Sequence, residues 1–308
     1  MSKYLVAGGT GLVGSAIFEI FLKKYQSVEI LSRKELDLSD FDATKNYLEK
    51  IKPEVVIDAA AMVGGINANN EKPVDFILNN IKIQNNLMQS SFLSGVDKFV
   101  FLGSSCIYPK LSKQPIEERF LLTGKLEETN SAYAIAKIAG IELINSYRKQ
   151  YKKNWISVIP SNVYGPNDNF NLNNSHVLPA LIRKFIEAKK NNIPSVVLWG
   201  SGTPMREFIF SSDLAKAIDF LIDNYNDDIP INVGTGEEVS IAVLAQLIAD
   251  QVGYQGEIIW DKSKPDGTPR KVLDNSKISR LGWYPETSLS EGIKKTIEWY
   301  KTSESKRM

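Results

Sequence analysis

The chain has 308 residues, of which 43% are hydrophobic and 24% charged, so it can form an ordinary globular core. Its 37 Lys and Arg residues nearly balance its 36 Asp and Glu residues, which argues against the strong positive field of proteins that bind nucleic acid or anionic membranes. One cysteine and one histidine exclude an intrachain disulfide and a His/Cys metal cluster, and no apolar run approaches the ~18 residues of a membrane span, so we expect a cytoplasmic protein without metal.

The first half of the chain alternates short β-rich runs with helical patterns. Strands are predicted in KYLVAG, SVEILS, EVVIDAAA, KFVFLGSS and WISVIPSNVYGP, and helices over residues 12–25, 40–50, 73–94 and 131–150. Short buried strands that alternate with helices pair in parallel, so the pattern predicts an α/β fold with a Rossmann-type, doubly wound parallel sheet. Glycines follow the first strand at once, so no secretion signal is expected there.

Beyond Tyr164 the alternation loosens. An Asn-rich loop over residues 166–175 leads into a helix that begins near His176. The later elements are predicted as strands in VVLWGSG and PINVGTG and as helices over residues 212–224, 240–252 and 289–302. We therefore predict a first domain over residues 1–165 and a smaller, interleaved domain over residues 166–308, with elements near residues 205–235 returning to the first sheet.

The segment GGTGLVG, from Gly8 to Gly14, lies between the first strand and the first helix. Glycines at these positions let the backbone approach a pyrophosphate, and the helix N-terminus presents amides to it. The pattern predicts dinucleotide binding; the alternative is a tight β–α turn with no ligand. After the second strand Arg33 and Lys34 stand where an acidic residue would favour NAD, so we expect NADP, unless these cations belong to a solvated loop.

Tyr133 and Lys137 lie four residues apart in YAIAK and therefore on one face of a helix. Ser104 ends the strand in KFVFLGSS. A carbonyl that is being reduced needs a proton donor, which tyrosine can supply when an ammonium stabilises its phenolate. The pattern predicts that Tyr133 donates the proton, that Lys137 supports it and holds the nicotinamide ribose, and that Ser104 binds the substrate oxygen. The alternative for Tyr133 is a half-buried helix aromatic.

With these motifs the chain resembles the extended short-chain dehydrogenase/reductase family, and within it the members that epimerise and reduce GDP-linked keto sugars. The resemblance runs through nearly the whole chain, in the stretches AAAMVGGI, FLGSSCIYPKLSKQPI, SAYAIAKIAGIELINSY, NVYGPNDNF, NSHVLPALIRKF, VVLWGSGTPMREF, INVGTG, KPDGTPRKVLD and LGWYPE. It implies 3,5-epimerisation of GDP-4-keto-6-deoxy-D-mannose, followed by NADPH-dependent reduction at C4. It also makes residues 1–165 the NADP-binding domain and residues 166–308 mainly a nucleotide-sugar domain.

The resemblance implies a set of cofactor-binding residues in the glycine loop and at the ends of the strands. They are Gly8, Gly9, Thr10, Gly11, Leu12, Val13, Gly14, Arg33, Lys34, Leu102, Gly103, Ser104, Ser105, Lys137, Pro160, Ser161, Asn162, Val163 and His176. Some family members carry a basic residue in the glycine loop, where this chain has Thr10. Recognition of the 2′-phosphate is therefore left to Arg33 and Lys34.

The resemblance also assigns an acid–base pair to the epimerisation: Cys106 removes the ring protons and His176 supplies them. From the residues alone, Cys106 is a small buried hydrophobe and His176 a helix N-terminal residue with a satisfied ring. Ser104 and Cys106 face the same way if the chain stays extended between them, although the turn before Pro109 could break the alternation. A thiol, with an ordinary pKa near ~8.5, needs a cationic or dipolar neighbour to act as a base at neutral pH.

The resemblance places Lys184, Arg206 and Lys271 on the phosphates and ribose of a GDP-sugar, with Trp199 and Asp266 nearby. Lys184 and Arg206 taken singly would be ordinary surface charges. Two other functions fit the motifs: a nucleotide-sugar 4-epimerase with tightly held NAD, and a non-catalytic dinucleotide-binding protein. By analogy with the fold, the helices over residues 73–94 and 131–150 are expected to pair in a homodimer.

Overall fold

The computed structural model describes residues 3–264 and 266–305. The strands are β1 (Tyr4–Ala7), β2 (Val28–Leu31), β3 (Val55–Asp58), β4 (Lys98–Leu102), β5 (Asn154–Pro160), β6 (Asn162–Tyr164), β7 (Ser195–Trp199), β8 (Met205–Phe210), β9 (Ile231–Val233), β10 (Glu238–Ser240), β11 (Glu257–Asp261) and β12 (Arg270–Lys271). The helices are α1 (Leu12–Phe21), α2 (Phe41–Ile51), α3 (Ile66–Glu71), α4 (Pro73–Leu93), α5 (Ser131–Tyr151), α6 (Val177–Lys190), α7 (Ser211–Asn224), α8 (Ile241–Val252), α9 (Ser276–Leu281) and α10 (Leu289–Ser305).

The main sheet has six parallel strands in the order β2-β1-β3-β4-β5-β9. Helices α1 and α7 cover one face, where Ile17 and Phe21 pack against Leu214 and Ile218. Helices α2, α4 and α5 cover the other face. The predicted Rossmann-type fold is confirmed. The strand order reverses at β1, so a crevice opens at the carboxyl ends of β1 and β3, where such sheets bind their ligands.

The second layer is built around β8, which pairs with β6, β10 and β12, while β7 pairs with β11. Helices α6, α8 and α10 pack on these strands around a separate core that includes Phe185 and Ile248. The single strand predicted in WISVIPSNVYGP is in fact two strands: β5 lies in the main sheet and β6 in the second, with only Ser161 between them.

The chain returns to the main sheet after β8. Helix α7 packs against α1, and β9 pairs with β5 at the edge of the main sheet. Over the residues that the structure describes, no helix is both long and apolar enough to cross a membrane. The same residues hold no group of three or more His, Cys, Asp or Glu side chains that could bind a metal ion.

Candidate active site

The glycine loop closes the crevice at the end of β1. Gly8 has a φ of +74°, and the amides of Gly8 and Gly9 donate to the Leu31 carbonyl oxygen at 2.9 and 3.1 Å. A methyl group on Gly14 would overlap the Gly8 carbonyl, whereas one on Gly11 would come no closer than 3.5 Å to any protein atom outside its own neighbours. Gly11 is the N-cap residue of α1 and has no side chain to cap the helix, so the first amides of α1 are open to an anion. This cradle fits a dinucleotide pyrophosphate.

The two candidate cations for the 2′-phosphate lie beside this cradle. Arg33 and Lys34 follow Ser32, the first residue after β2, and both are exposed. The neighbouring acid, Glu35, accepts a 2.7 Å hydrogen bond from the Ser32 amide, and this backbone hydrogen bond lowers the pKa of the Glu35 carboxyl. Glu35 is thus bound to its own loop, and Arg33 and Lys34 remain available to an anion.

Ser104 and Tyr133 meet where β4 ends. The backbone of Ser104 is still extended, with a φ of −158°. Burial raises the pKa of the Tyr133 hydroxyl, as does nearby negative charge at Cys106, while a side-chain hydrogen bond with Ser104 lowers it. The Tyr133 ring packs edge-on against Phe76 of α4, with ring centroids 6.3 Å apart, which fixes its direction. The structure therefore brings together the two groups predicted to bind the substrate oxygen.

Lys137 lies one turn further along α5 and is 3% exposed. Its ammonium donates to the Leu102 carbonyl oxygen at 2.9 Å and lies 4.7 Å from the centre of the Phe101 ring. The buried Gln84 side chain of α4 donates to the Ala136 carbonyl oxygen at 2.7 Å, which anchors α5 at this turn. Burial lowers the pKa of Lys137. Within the described residues Lys137 forms no hydrogen bond with Tyr133, so its predicted support of the phenolate is not direct in the free protein.

Asp58, at the end of β3, is a site residue that sequence reasoning missed. It is fully buried; one carboxylate oxygen accepts from the Ala60 amide at 3.1 Å, and Oδ2 has no hydrogen-bond partner among the described residues. Burial raises the pKa of Asp58 to about 6, although the charge of Lys137 lowers it. The sequence signal for Asp58 was an acidic residue at the end of the otherwise apolar strand VVID.

Cys106 lies in a 3-10 turn over Ser105–Ile107, so the extended alternation from Ser104 ends before it. The two residues nevertheless remain in contact, because the Cys106 amide donates to Ser104 Oγ at 3.2 Å. Two nitrogen atoms approach the sulfur: Asn130 Nδ2 at 3.5 Å and Lys271 Nζ at 3.8 Å. Asn130, which sequence reasoning also missed, directly precedes α5.

His176 is held at the start of α6 by the glycines of AAAMVGGI. The Gly65 amide donates to the Asn174 carbonyl oxygen at 3.1 Å, and a methyl group on Gly65 would lie 2.6 Å from the Ser175 carbonyl oxygen. The glycine thus allows the loop before His176 to rest on the main sheet domain. His176 is an exposed residue, yet desolvation by surrounding protein atoms and, second, the charge of Lys271 lower its pKa to about 4.

The predicted phosphate-binding cations are partly clustered. Arg206 and Lys271 are register partners on the parallel strands β8 and β12, so their side chains share one face. The buried Glu207 fixes this pair, because its carboxylate accepts from the amides of Gly236 and Leu273 at 2.7 and 2.8 Å. Burial lowers the pKa of Arg206, and negative charge at Cys106 and Asp266 opposes this effect.

The other predicted substrate residues lie around the turn after β7. Asp266 accepts from the Ser201 amide at 2.7 Å and so orders the turn beside Trp199, whose ring is 57% exposed. The half-buried Lys184 donates to the Val197 carbonyl oxygen at 3.2 Å. Asp266 acts on Arg206 electrostatically, whereas no described contact joins Lys184 to the Arg206–Lys271 pair.

The predicted cofactor residues between Pro160 and Val163 span the passage from β5 to β6. The Ser161 amide donates to the Val233 carbonyl oxygen at 2.9 Å, and Asn162 Nδ2 donates to the Glu207 carbonyl oxygen at 2.6 Å. The Ser161 hydroxyl is buried and has no partner among the described residues. This free hydroxyl at the carboxyl end of β5 is a further feature that fits a bound dinucleotide.

Comparison with known proteins agrees with this geometry. A model described as the NAD dependent epimerase/dehydratase family matches residues 4–234. The chain belongs to this family. The match spans the glycine loop, the Ser104/Tyr133/Lys137 set and the returning strand β9, so the family covers the whole crevice of the main sheet.

Three relatives extend the similarity to nearly the full chain. A putative GDP-L-fucose synthase 2 of Arabidopsis thaliana is 52% identical over 300 residues, which cover 97% of this chain and 92% of that protein. The GDP-L-fucose synthase of Escherichia coli strain K12 is 48% identical over 309 residues, covering 97% and 96%. The crystal structure of a GDP-L-fucose synthetase from Naegleria fowleri bound to NADP superposes with a TM-score of 0.90 at 35% identity, covering 99% of this chain and 95% of that one.

Proposed function

We propose that this chain is a GDP-L-fucose synthase that epimerises GDP-4-keto-6-deoxy-D-mannose at C3 and C5 and then reduces C4 with NADPH. The names of its relatives support this reaction, and so does the NADP bound to the similar Naegleria fowleri structure. The observation that carries the proposal is one cluster of contacting side chains that combines two kinds of chemistry. Ser104 and Tyr133 meet there as a carbonyl-binding pair, and the only thiol of the chain contacts Ser104.

The epimerase half uses the acidity of protons next to the 4-keto group. Cys106, as a thiolate, takes the proton from C3 or C5 and becomes a thiol, while the C–H electron pair forms an enolate. Ser104 and Tyr133 bind the enolate oxygen, and such donors stabilise the charge most when they are already in place. His176 then returns a proton to the opposite face of the ring carbon, and solvent restores the starting protonation of both side chains.

His176 is neutral at pH 7 in the free protein, because its pKa lies at about 4. Substrate must therefore favour the protonated ring. The diphosphate of a GDP-sugar carries negative charge to Arg206 and Lys271. This charge offsets the cation at Lys271, which after desolvation is the second cause that lowers the pKa of His176. Binding of the substrate and readiness of the acid are thus linked through Lys271.

The reductase half uses the other side of the pocket. Bound NADPH supplies the hydride that C4 accepts. Tyr133 donates its proton to the C4 oxygen, and Ser104 orients that oxygen. The glycine loop, Arg33 and Ser161 are the residues that would hold the dinucleotide. Lys137 keeps a positive charge beneath the site through its hydrogen bond to Leu102.

The decisive experiment mixes the protein with NADPH and GDP-4-keto-6-deoxy-D-mannose and identifies the product by NMR. We expect one NADPH to be consumed for each GDP-L-fucose formed. A product with no net NADPH consumption would instead indicate a 4-epimerase, and no turnover at all would indicate a dinucleotide-binding protein without this activity.

The epimerase half is tested separately in deuterated solvent without reduced cofactor. Wild-type protein should exchange the C3 and C5 protons, and Cys106→Ser should lose this exchange. His176→Gln should still allow abstraction but should slow inversion at the ring carbon. Wild-type exchange in Cys106→Ser would show that the thiol is structural, and the proposed base would then be wrong.

Homodimerisation and a cytoplasmic location are also proposed. Large apolar side chains are exposed on the two helices that are expected to pair: Val74 and Leu78 on α4 and Ile135 on α5. Analytical ultracentrifugation should give a dimer that Leu78→Asp converts to monomer; a wild-type monomer would contradict the pairing. The free Cys106 thiol and the need for NADPH favour a reducing compartment, and fractionation of the source cells tests the location.

A further inference from the structure

The sulfur of Cys106 is approached by donors from two distant parts of the chain. Asn130, in the loop before α5, places its Nδ2 atom 3.5 Å from the sulfur. Lys271, on β12 and 165 residues away in sequence, places its Nζ atom 3.8 Å from the sulfur. All three residues line the same small pocket. The fold therefore places an amide and an ammonium against one thiol at the mouth of the site.

Both contacts are favourable only when the Cys106 sulfur accepts a hydrogen bond from the nitrogen atom. An ammonium has three donors and no acceptor, so Lys271 can interact favourably with sulfur only through the lone pairs of the latter. A thiolate accepts such hydrogen bonds far better than a thiol, because they are then charge-assisted. The arrangement thus favours the deprotonated form of Cys106, the form that can act as a base.

Charges around the pocket point the same way. Arg206 is the register partner of Lys271, and its pKa responds to charge at Cys106. The acid that lines the pocket, Glu127, already forms an ion pair with Lys110 at 2.8 Å. Asp266 offsets part of the charge of Arg206. Tyr108, which also lines the pocket, and the neighbours Tyr133 and His176 are neutral at pH 7 in the free protein. The sulfur therefore faces a net positive environment.

We propose that Lys271 is a positioning residue for epimerisation, which together with Asn130 holds Cys106 as a thiolate aimed into the pocket. This inference rests on the proposed function, and it gives Lys271 a task beyond binding the substrate diphosphate. Lys271 stays an ammonium throughout: Cys106 gains the proton that leaves the sugar carbon, and Lys271 only stabilises the sulfur before that transfer.

The test uses the fact that the chain has a single cysteine, so total thiol alkylation reports Cys106 alone. Iodoacetamide labelling is followed by mass spectrometry from pH 5 to pH 10 on full-length protein without sugar nucleotide. Lys271→Met should be alkylated about tenfold more slowly than wild type at pH 7, with its rate profile moved to higher pH, because the thiolate loses its cation. Lys271→Arg should restore much of the wild-type rate.

Arg270→Met is the matched control. It removes a cation from the adjacent position of β12, but Arg270 faces the other way and pairs with Glu238 at 2.7 Å. Its alkylation profile should match wild type. Asn130→Asp provides a second variant should Lys271→Met fail to fold, since a carboxylate beside the sulfur should also slow alkylation. Wild-type profiles in the folded Lys271→Met or Asn130→Asp protein would overturn the proposal.

The role of Cys106 as the base and the role of Lys271 beside it are distinguished by combining the two experiments. A shifted profile in Lys271→Met, combined with normal deuterium exchange in Cys106→Ser, would refute Cys106 as the epimerase base and leave the Lys271–thiolate pair standing. An unshifted profile combined with lost exchange in Cys106→Ser would refute only the role of Lys271.

Discussion

Asp58 and Lys137 place opposite charges on the same face of the main sheet, and both are shielded from solvent. Asp58 is the register partner of Phe101, and the ammonium of Lys137 lies over the Phe101 ring. Each residue shifts the pKa of the other toward the charged form, against the effect of burial. The buried ammonium of Lys137 is thus partly balanced by the carboxyl group of Asp58.

Asp58→Asn should stabilise the free protein at neutral pH. The pKa of Asp58 in the folded protein is about 6, above the ordinary value of 3.8, so folding favours the protonated acid. The stability that the protonated acid contributes is therefore lost as the pH rises from about 4 to 6. Removing the charge should raise the free energy of unfolding at pH 7 by roughly 3 kcal/mol and abolish this slope. Urea unfolding between pH 4 and 7.5 measures both. Asp42→Asn, which neutralises an exposed carboxyl on α2, should keep the slope; a wild-type slope in Asp58→Asn would contradict the prediction.

Tyr133→Phe should abolish reduction and leave NADPH binding largely intact, because only the proton donor is lost. We expect kcat to fall by at least about a hundredfold, the low end for general acid catalysis. Stopped-flow loss of NADPH absorbance gives the rate, and cofactor fluorescence gives the affinity. A variant that keeps more than about a tenth of the wild-type kcat would rule out Tyr133 as the donor.

Gly11→Ala and Gly14→Ala should separate cofactor binding from folding. A methyl group at Gly11 meets no protein atom closer than 3.5 Å but enters the space above the helix N-terminus. The free energy of unfolding of Gly11→Ala should therefore lie within ~0.5 kcal/mol of the wild-type value. Its NADPH affinity should fall at least about tenfold. Gly14→Ala should lower the melting temperature, because its methyl group overlaps Gly8. Wild-type NADPH affinity in Gly11→Ala would show that the pyrophosphate lies elsewhere.

Arg33→Ala should weaken NADPH binding more than NADH binding, because only NADPH carries the 2′-phosphate. A hydrogen bond to a charged group is worth about 1.5–3 kcal/mol, so the dissociation constant for NADPH should rise roughly tenfold or more. Isothermal titration with each cofactor gives the comparison, and NADH serves as the internal control. An equal loss for both cofactors, or none for either, would show that Arg33 does not contact that phosphate.

The single histidine should titrate well below its ordinary value. In the free protein His176 has a pKa of about 4, from desolvation first and the charge of Lys271 second. Folding thus disfavours its protonation, so the stability present above pH ~6.5 is lost as the pH falls toward 4. NMR of the one imidazole gives this pKa without assignment. It should rise in Lys271→Met and stay unchanged in Arg270→Met. A pKa near ~6.5 in the wild-type protein would contradict the prediction.

Much of the main sheet was predictable because its strands are short, apolar and separated by long helical patterns. The helices predicted over residues 73–94 and 131–150 closely match α4 and α5. The first helix ends at Phe21, earlier than predicted. The chain turns there so that the ring of Tyr25 stacks on that of Tyr4, with ring centroids 4.1 Å apart. Helix α3 was not predicted, since its segment INANNE is short and rich in asparagine.

The site was predictable only where the chemistry is local. Tyr133 and Lys137 share a helix face, and the glycine loop follows a strand, so pattern alone indicated both. The contact between Cys106 and Lys271 joins residues 165 positions apart, and no local signal encodes it. Asp58 and Asn130 escaped notice for a different reason. The role of Asp58 depends on its burial near Lys137, and that of Asn130 on its approach to the Cys106 sulfur, and a single sequence shows neither.

The passage from β5 to β6 through Ser161, and the return through α7 and β9, has a consequence for how such a protein can evolve. A fragment that stops at residue 165 lacks the last strand of the main sheet and the helix that covers Ile17 and Phe21. Neither half is a transferable module, and recombination between β6 and β9 would join two incomplete cores. A crossover in that stretch would separate β9 and α7 from the sheet that they complete.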